Sequence, residues 1–284
     1  MTARAADVPR GAGSSRAPVI VESSLDNLRS QDVRFLEEAA RYGPLHVRVP
    51  SDGLLEEVTG SRPLFPAAER LFLASSIRWV ESAAIVEEPV TASLGELAAA
   101  HATLVAREED EDHPVRVAAG AAGVPYRLVT GADLAGFPVA DPEPPPPDMS
   151  RVVVTGCYDW LHSGHIRFFM DAAALGALYV VVGSDENVEF LKGPGHPLQH
   201  EQERRYMAGA IRSVHRCLVS SGAGWMDAEP EIADIRPVFS VVNEDGDQPE
   251  KREFCRAHGL EYVVLRRVPH AGLPARSSTE LRGF

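Results

Sequence analysis

The sequence predicts an α/β protein built as two tandem domains, each a parallel sheet with helices on both faces. Three observations predict it. Short apolar, β-branched runs alternate with segments of helical period, the pattern of a parallel sheet covered on both sides. The second half of the chain repeats the first in order. A proline-rich stretch, DPEPPPPD at 141–148, lies near the middle and reads as an extended, stiff linker. The expected division is a disordered start at 1–17, a first domain at 18–140, the linker at 141–148 and a second domain at 149–284.

The repeat is visible without gaps over long stretches. SLDNLRSQDVRFLEEAARYGPLHVRVPSD, from Ser24 to Asp52, matches CYDWLHSGHIRFFMDAAALGALYVVVGSD, from Cys157 to Asp185. Asp26 pairs with Asp159, Phe35 with Phe168, Gly43 with Gly176 and Asp52 with Asp185. Farther on, Arg62 to Val80 matches His196 to Val214, which sets Arg70 against Arg204, and Ala122 to Val129 matches His258 to Leu265. Ordered self-similarity of this extent indicates one structural unit written twice.

In the second half the strands are expected near Val152–Thr155, Leu178–Gly183, Arg216–Ser220, Val238–Val242 and Glu261–Leu265. Helices are expected at about Gly164–Leu175, Glu201–Arg212, Glu229–Asp234 and Pro249–His258. The first of these is the best defined. Val152, Val153 and Val154 form an uninterrupted β-branched run, Thr155 and Gly156 break it, and Ile166, Phe169, Met170 and Ala173 follow at helical spacing before Gly176. His162 and His165 therefore stand where a strand ends and a helix begins. A helix N-terminus offers unpaired N–H groups and the positive end of the dipole, so it is suited to an anion. Two histidines three positions apart face the same way there, and Gly164 leaves room for a phosphate to come close. The reading is a polyphosphate cradle with two imidazoles aimed into it.

Composition limits the alternatives. With 28 Lys and Arg against 41 Asp and Glu, the net charge is −13, which disfavours nucleic acid or an anionic membrane surface as partner. A polyanionic substrate would need local positive charge against that background. Cys157, Cys217 and Cys255 have neither metal-ligand spacing nor the makings of a disulfide framework, which fits a reducing cytoplasm. No apolar run approaches membrane-spanning length, and residues 1–17 lack the apolar segment of a signal peptide. No strand leads into GxGxxG and no GxxxxGK[ST] occurs, so neither a dinucleotide-binding enzyme nor a P-loop protein is expected.

The two halves differ at the cradle. Arg29, Gln31 and Asp32 stand where the second half has His162, Gly164 and His165. Asp32 would repel a triphosphate, so the first half reads as a copy of the fold without a site. It is expected to pack on the second domain as an internal pseudo-dimer, with further homo-oligomerisation open.

Other candidates complete the second-half site. Lys192 lies in the glycine- and proline-rich FLKGPGHP; it and Lys251 are the only lysines of the chain, and a phosphate contact is the favoured reading for Lys192. Arg204 sits on a helix, either near the nucleotide or in a structural ion pair such as Arg70 could also make. Ser277, Ser278 and Thr279, in RSST before an expected short helix, read as an N-cap or as hydroxyl donors to a phosphate. Asn243, Glu244 and Asp245 end the fourth strand at the same sheet edge.

TGCYDWLHSGH, FLKGPGHPLQHEQERRYMAGAIRSV and RSST together resemble the cytidylyltransferase family of the HIGH-motif nucleotidyltransferases. The tandem arrangement is similar to that of ethanolamine-phosphate cytidylyltransferases. The resemblance implies a Rossmann-like fold, CTP, Mg²⁺ held mainly by phosphates, and attack of a substrate phosphate or phosphonate on the α-phosphorus with pyrophosphate leaving. It implies catalytic roles for His162, His165 and Lys192. Gly156, Cys157, Tyr158, Asp159, Gly164, Asp185, Arg204, Asn243 and Ser277 to Thr279 would then line the nucleotide. Arg276 replaces the apolar residue usual before the hydroxyls. ATP in place of CTP is the alternative, since related adenylyltransferases share GCFD-like and KG segments. A nucleotide-binding protein without turnover is a third reading.

Overall fold

The computed structural model describes residues 16–110 and 114–277. The chain divides into two compact units, one up to Gly136 and one from Phe137 onward. The first unit runs β1 (Val19–Glu22), α1 (Ser30–Ala40), β2 (Leu45–Pro50), α2 (Asp52–Thr59), α3 (Ala67–Ser76), β3 (Val80–Val86), α4 (Leu94–Ala99), β4 (Thr103–Arg107), α5 (Pro114–Ala121) and β5 (Tyr126–Val129). The second runs β6 (Arg151–Gly156), α6 (Ser163–Ala173), β7 (Ala177–Val182), α7 (Asp185–Lys192), α8 (Glu201–Gly209), β8 (Val214–Val219), α9 (Glu229–Ile235), β9 (Phe239–Asn243), α10 (Pro249–His258) and β10 (Glu261–Leu265).

Each unit holds one five-stranded sheet, ordered β3-β2-β1-β4-β5 in the first and β8-β7-β6-β9-β10 in the second. All the pairings are parallel. Counted from the start of each unit the two orders are the same, so the sequence repeat is a repeat of topology. The strand order reverses between the first and fourth strands of each unit, the place where ligands bind in open parallel sheets.

Burial explains why these residues form these strands. Val152, Val153 and Val154 are at most 1% exposed, and every residue of β7 is buried. That is why β7 reads as a continuous apolar run and not an alternating one. Gly176 and Gly43 are needed for close approach: a Cβ on Gly176 would lie 2.1 Å from the Ser150 carbonyl oxygen, and one on Gly43 would lie 2.2 Å from that of Ala17. In both units the helix-to-strand turn thus presses on the chain entering the first strand.

Three differences from the expected layout stand out. A helix, α7, covers 185–192, a stretch outside the expected helices, so Lys192 ends a helix and does not lie in a glycine- and proline-rich loop. The strand β8 begins two residues earlier than expected, at Val214, and α8 stops at Gly209. The proline-rich stretch 141–148 lies within the second unit: Arg205 donates to the Phe137 carbonyl at 3.3 Å, Arg216 pairs with Asp141 at 3.0 Å, and Phe137 packs on Tyr206. No described helix is long and apolar enough to cross a membrane.

Candidate functional site

The cradle forms at the carboxyl end of β6. Gly156 ends that strand, and a Cβ there would lie 2.8 Å from the Tyr158 ring. Tyr158 takes a left-handed backbone with φ of 50°. This folds its buried ring back to meet His165 edge-on, at 5.2 Å and 84°, and Phe169 at 4.9 Å. Burial pushes the Tyr158 phenol well above its ordinary pKa, so it stays neutral.

His162 is the N-cap of α6, and its Nδ1 accepts the Gly164 N–H at 3.1 Å. That bond fixes the neutral ring as the Nε2–H tautomer. The same closeness constrains Gly164, where a Cβ would lie 3.0 Å from His162 Cε1. The His165 ring stacks on that of His162, centroids 3.9 Å apart and planes 23° from parallel. His162 Nε2 and His165 Nδ1 are both buried with no hydrogen-bond partner among the described residues. The two are not alike. His162 Nε2–H is a buried donor without an acceptor, which is costly. The neutral His165 ring donates to the Trp160 backbone through its other nitrogen, so its Nδ1 is a bare acceptor that donates only when the ring is protonated.

Burial first, and neighbouring positive charge second, keep both rings neutral in the free protein. Burial, then the neighbouring His165, Arg267 and Arg276, push His162 down to about 2. Burial and Arg267 push His165 down to about 3, against a hydrogen bond to the Trp160 backbone that works upward. The local positive charge that an acidic chain must supply for a polyanion is therefore present, in Arg267 and Arg276. Arg267 also ties the site's rim together: it pairs with Asp245 at 3.0 Å and donates to the Arg276 carbonyl at 2.6 Å.

Two cavities meet at the cradle, each of about 330 Å³, and share Phe168 and Asn243. One is lined by Gly164, Arg167, Arg266, Arg267, Arg276 and Ser277. The other is lined by Thr155, Cys157, His165, Lys192, Asp245 and Lys251. The structure thus brings together Gly156, Cys157, Tyr158, His162, Gly164, His165, Lys192, Asn243 and Ser277. Ser278 and Thr279 lie outside the described residues.

Three expected nucleotide contacts take other roles. The Arg204 side chain is 0% exposed and donates to the carbonyls of Gln199, Cys157 and Gly183 and to Asp185 Oδ1, the last at 2.7 Å. It has no free face for a ligand. Asp185 is held by Arg204 and by His200 at 3.2 Å. Burial works upward on its carboxyl, but these bonds outweigh it and hold the pKa below the usual range. Asp159, 4% exposed, accepts the backbone N–H groups of Leu198 and Gln199. The first unit repeats the network: Arg70 donates to the carbonyls of Phe65 and Ser24 and to Asp52, and Asp26 accepts from Leu64 and Phe65. A network present in both units supports the fold and clamps the loops around the cradle.

Sequence reasoning passed over Lys251 and Arg267. The scarcity of lysine was a usable signal for Lys251. Arg267 carried none, because its role depends on how the turn after β10 folds back on the cradle.

Comparisons with known proteins agree on the second half. Residues 153–282 match the cytidylyltransferase-like family. A FAD synthase of Aciduliprofundum boonei is 36% identical over 121 residues, which is 42% of this chain and 78% of that one. The bifunctional protein HldE of Methylococcus capsulatus is 42% identical over 97 residues, 34% of this chain and 20% of that longer one. A solved lipopolysaccharide core biosynthesis protein of Thermoplasma volcanium aligns with 43% of this chain and 98% of its own at 23% identity, with a TM-score of 0.36.

Proposed function

We propose that this chain, which belongs to the cytidylyltransferase-like family of nucleotidyltransferases through its second half, transfers a nucleotidyl group from a nucleoside triphosphate to a small phosphorylated molecule. The observation that carries the reading is the pair of buried, unpartnered imidazole nitrogens at the N-terminus of α6. An acceptor phosphate oxygen attacks the α-phosphorus, a new P–O bond forms, the bond to the β-phosphate bridge breaks, and pyrophosphate leaves. The nucleophile is already an anion, so no strong base is needed. Catalysis then rests on positioning and on donors fixed in advance around the developing charge.

In this reading His162 Nε2–H donates to the phosphoryl oxygens, and His165, stacked on it, is the second imidazole facing them. The α6 N–H groups, Arg267 and Arg276 hold the polyphosphate. Lys192 reaches the cradle from the end of α7. Mg²⁺ fits this donor set. The phosphates would hold the ion for the most part, and Asp245, which pairs with Arg267 at 3.0 Å and lies between that guanidinium and the second cavity, is the carboxylate that would join them. When bound, the ion neutralises charge on the leaving pyrophosphate.

ATP is favoured as the donor. The Aciduliprofundum relative, aligned over 78% of its length, is named for making FAD, a product that carries an adenylyl group. CTP remains the second reading, supported by the resemblance of the 190–214 segment to choline- and ethanolamine-phosphate cytidylyltransferases. The test is pyrophosphate release from ATP and from CTP across a panel of phosphomonoesters that includes FMN. Release with ATP alone supports adenylyl transfer, and release with CTP alone supports cytidylyl transfer. Nucleotide binding without release from any pair overturns both.

A further inference from the structure

The chain has two lysines among its 28 basic side chains, and both line one cavity. Lys192 is the last residue of α7, and Lys251 lies in the first turn of α10. They come from helices on different parts of the sheet and meet in the same 330 Å³ space beside Thr155, His165 and Asn243. Neither ammonium makes a hydrogen bond or ion pair with a described residue.

The two cavities at the cradle differ in the cations they present. One offers guanidinium groups, Arg167, Arg266, Arg267 and Arg276. Arg167 is already paired with Asp171 at 2.9 Å. Arg267 and Arg276 line this cavity together with Gly164 of the α6 N-terminus, so this side is placed for the polyphosphate of the nucleotide. The other offers two ammonium groups. A phosphomonoester carries close to two negative charges at neutral pH, and a lysine binds phosphate as a point charge. Of the two acids on that side, Asp159 is engaged by backbone N–H groups and Asp245 by Arg267, so neither cancels the lysines.

We infer that the Lys192–Lys251 cavity is the acceptor subsite, and that Lys251 is a specificity-determining contact to the acceptor's phosphate. The inference deepens the proposed function and rests on it for the identity of the reaction. The state of Lys251 supports it. Burial lowers its pKa despite the opposing pull of Asp227. A partly desolvated ammonium without a partner is unfavourable unless a ligand supplies the anion.

Two measurements on the full chain test it. The first is chemical. Acetic anhydride acetylates free amines, and mass spectrometry reads Lys192 and Lys251 separately because no other lysine competes. Methyl phosphate, used as the probe, is expected to slow acetylation of both lysines together. An unchanged rate at Lys251 overturns the inference whether or not the protein turns over. The second is kinetic, on whichever substrate pair releases pyrophosphate. Lys251→Met is expected to raise KM for the acceptor about 10- to 100-fold, the effect of one charged hydrogen bond. KM for the nucleotide should hold, and Lys251→Arg should restore part of the loss. An unchanged acceptor KM, or a rise confined to the nucleotide, overturns the inference. Absence of pyrophosphate from every pair refutes the proposed function instead, and leaves the acetylation result to decide the subsite.

Discussion

His162 and His165 stack with ring centroids 3.9 Å apart and planes 23° from parallel, in a pocket that holds both neutral. The arrangement has a consequence for folding. Their folded pKa values, about 2 and about 3, lie below the ordinary value of 6.5. Below pH 6.5 the unfolded chain therefore binds protons that the folded chain does not. Stability is unaffected by the pair above that pH and falls as pH drops from 6.5 toward 3. The slope approaches about 1.4 kcal/mol per pH unit for each ring. Urea unfolding at steps from pH 7.5 to 5 measures it. The double variant His162→Asn, His165→Asn should give a flatter profile, and parallel profiles would refute buried neutral rings.

Single replacement of either ring tests the cradle itself. His162→Ala or His165→Ala should lower pyrophosphate release on the order of 10²–10³-fold, the usual loss for one pre-organised donor. Stability near pH 7.5 should fall by about 1 kcal/mol in His162→Ala, which loses the capping contact to Gly164, a change too small to account for the loss of turnover. Gly164→Ala should act through His162, since the added Cβ would lie 3.0 Å from its Cε1. It should reduce turnover without removing a reacting group. Full turnover in both histidine variants would sink the assignment.

Arg204 is expected to behave in the opposite way. Its fully buried guanidinium satisfies three carbonyls and Asp185. Arg204→Met should cost about 3 kcal/mol, chiefly because the carbonyls of Gln199, Cys157 and Gly183 lose their donor, the partner Asp185 being 33% exposed. Arg70→Met should cost a similar amount in the first unit. Denaturant unfolding followed by probes in each unit would check both. A stable Arg204→Met protein with weakened nucleotide binding would return Arg204 to the ligand.

Legibility in the sequence follows from where the physical signal lies. The strand β6, the helix α6 and the writing of one parallel-sheet unit twice came through because burial imposes a period on side-chain type; the strand order within each sheet did not, because it is set by long-range pairing. The turn that sets His162 and His165 side by side at the start of α6 was legible because N-cap chemistry, a glycine and two histidines are all side-chain identities in one short stretch. The helix α7 was missed. Ser184 caps it and Asp185 and Glu186 begin it, but only Asn187 and Val188 are buried and Phe190 is 77% exposed, so no apolar stripe marks it. The role of Arg204 was left open because three of its partners are backbone carbonyls, which any residue supplies. Only its counterpart Arg70 pointed to scaffolding.

The last prediction concerns the first unit. Asp32 stands where the second unit has His165, at the N-terminus of α1, and its carboxylate accepts the Arg29 backbone N–H at 2.8 Å. It also pairs with Arg107 at 2.6 Å, and that guanidinium lies over the Phe35 ring at 4.9 Å. A built-in carboxylate thus occupies the anion position of the helix. Converting Arg29, Gln31 and Asp32 to His, Gly and His removes that anion and leaves Arg107 without its partner. We expect a loss of about 1 kcal/mol from the broken pair and the lost capping contact. We expect no second nucleotide site, since this half has no counterpart of Lys192 or of the RSST segment. Calorimetric titration with ATP and CTP should give the same stoichiometry for wild type and triple variant. A doubled stoichiometry would show that three residues alone had closed the site.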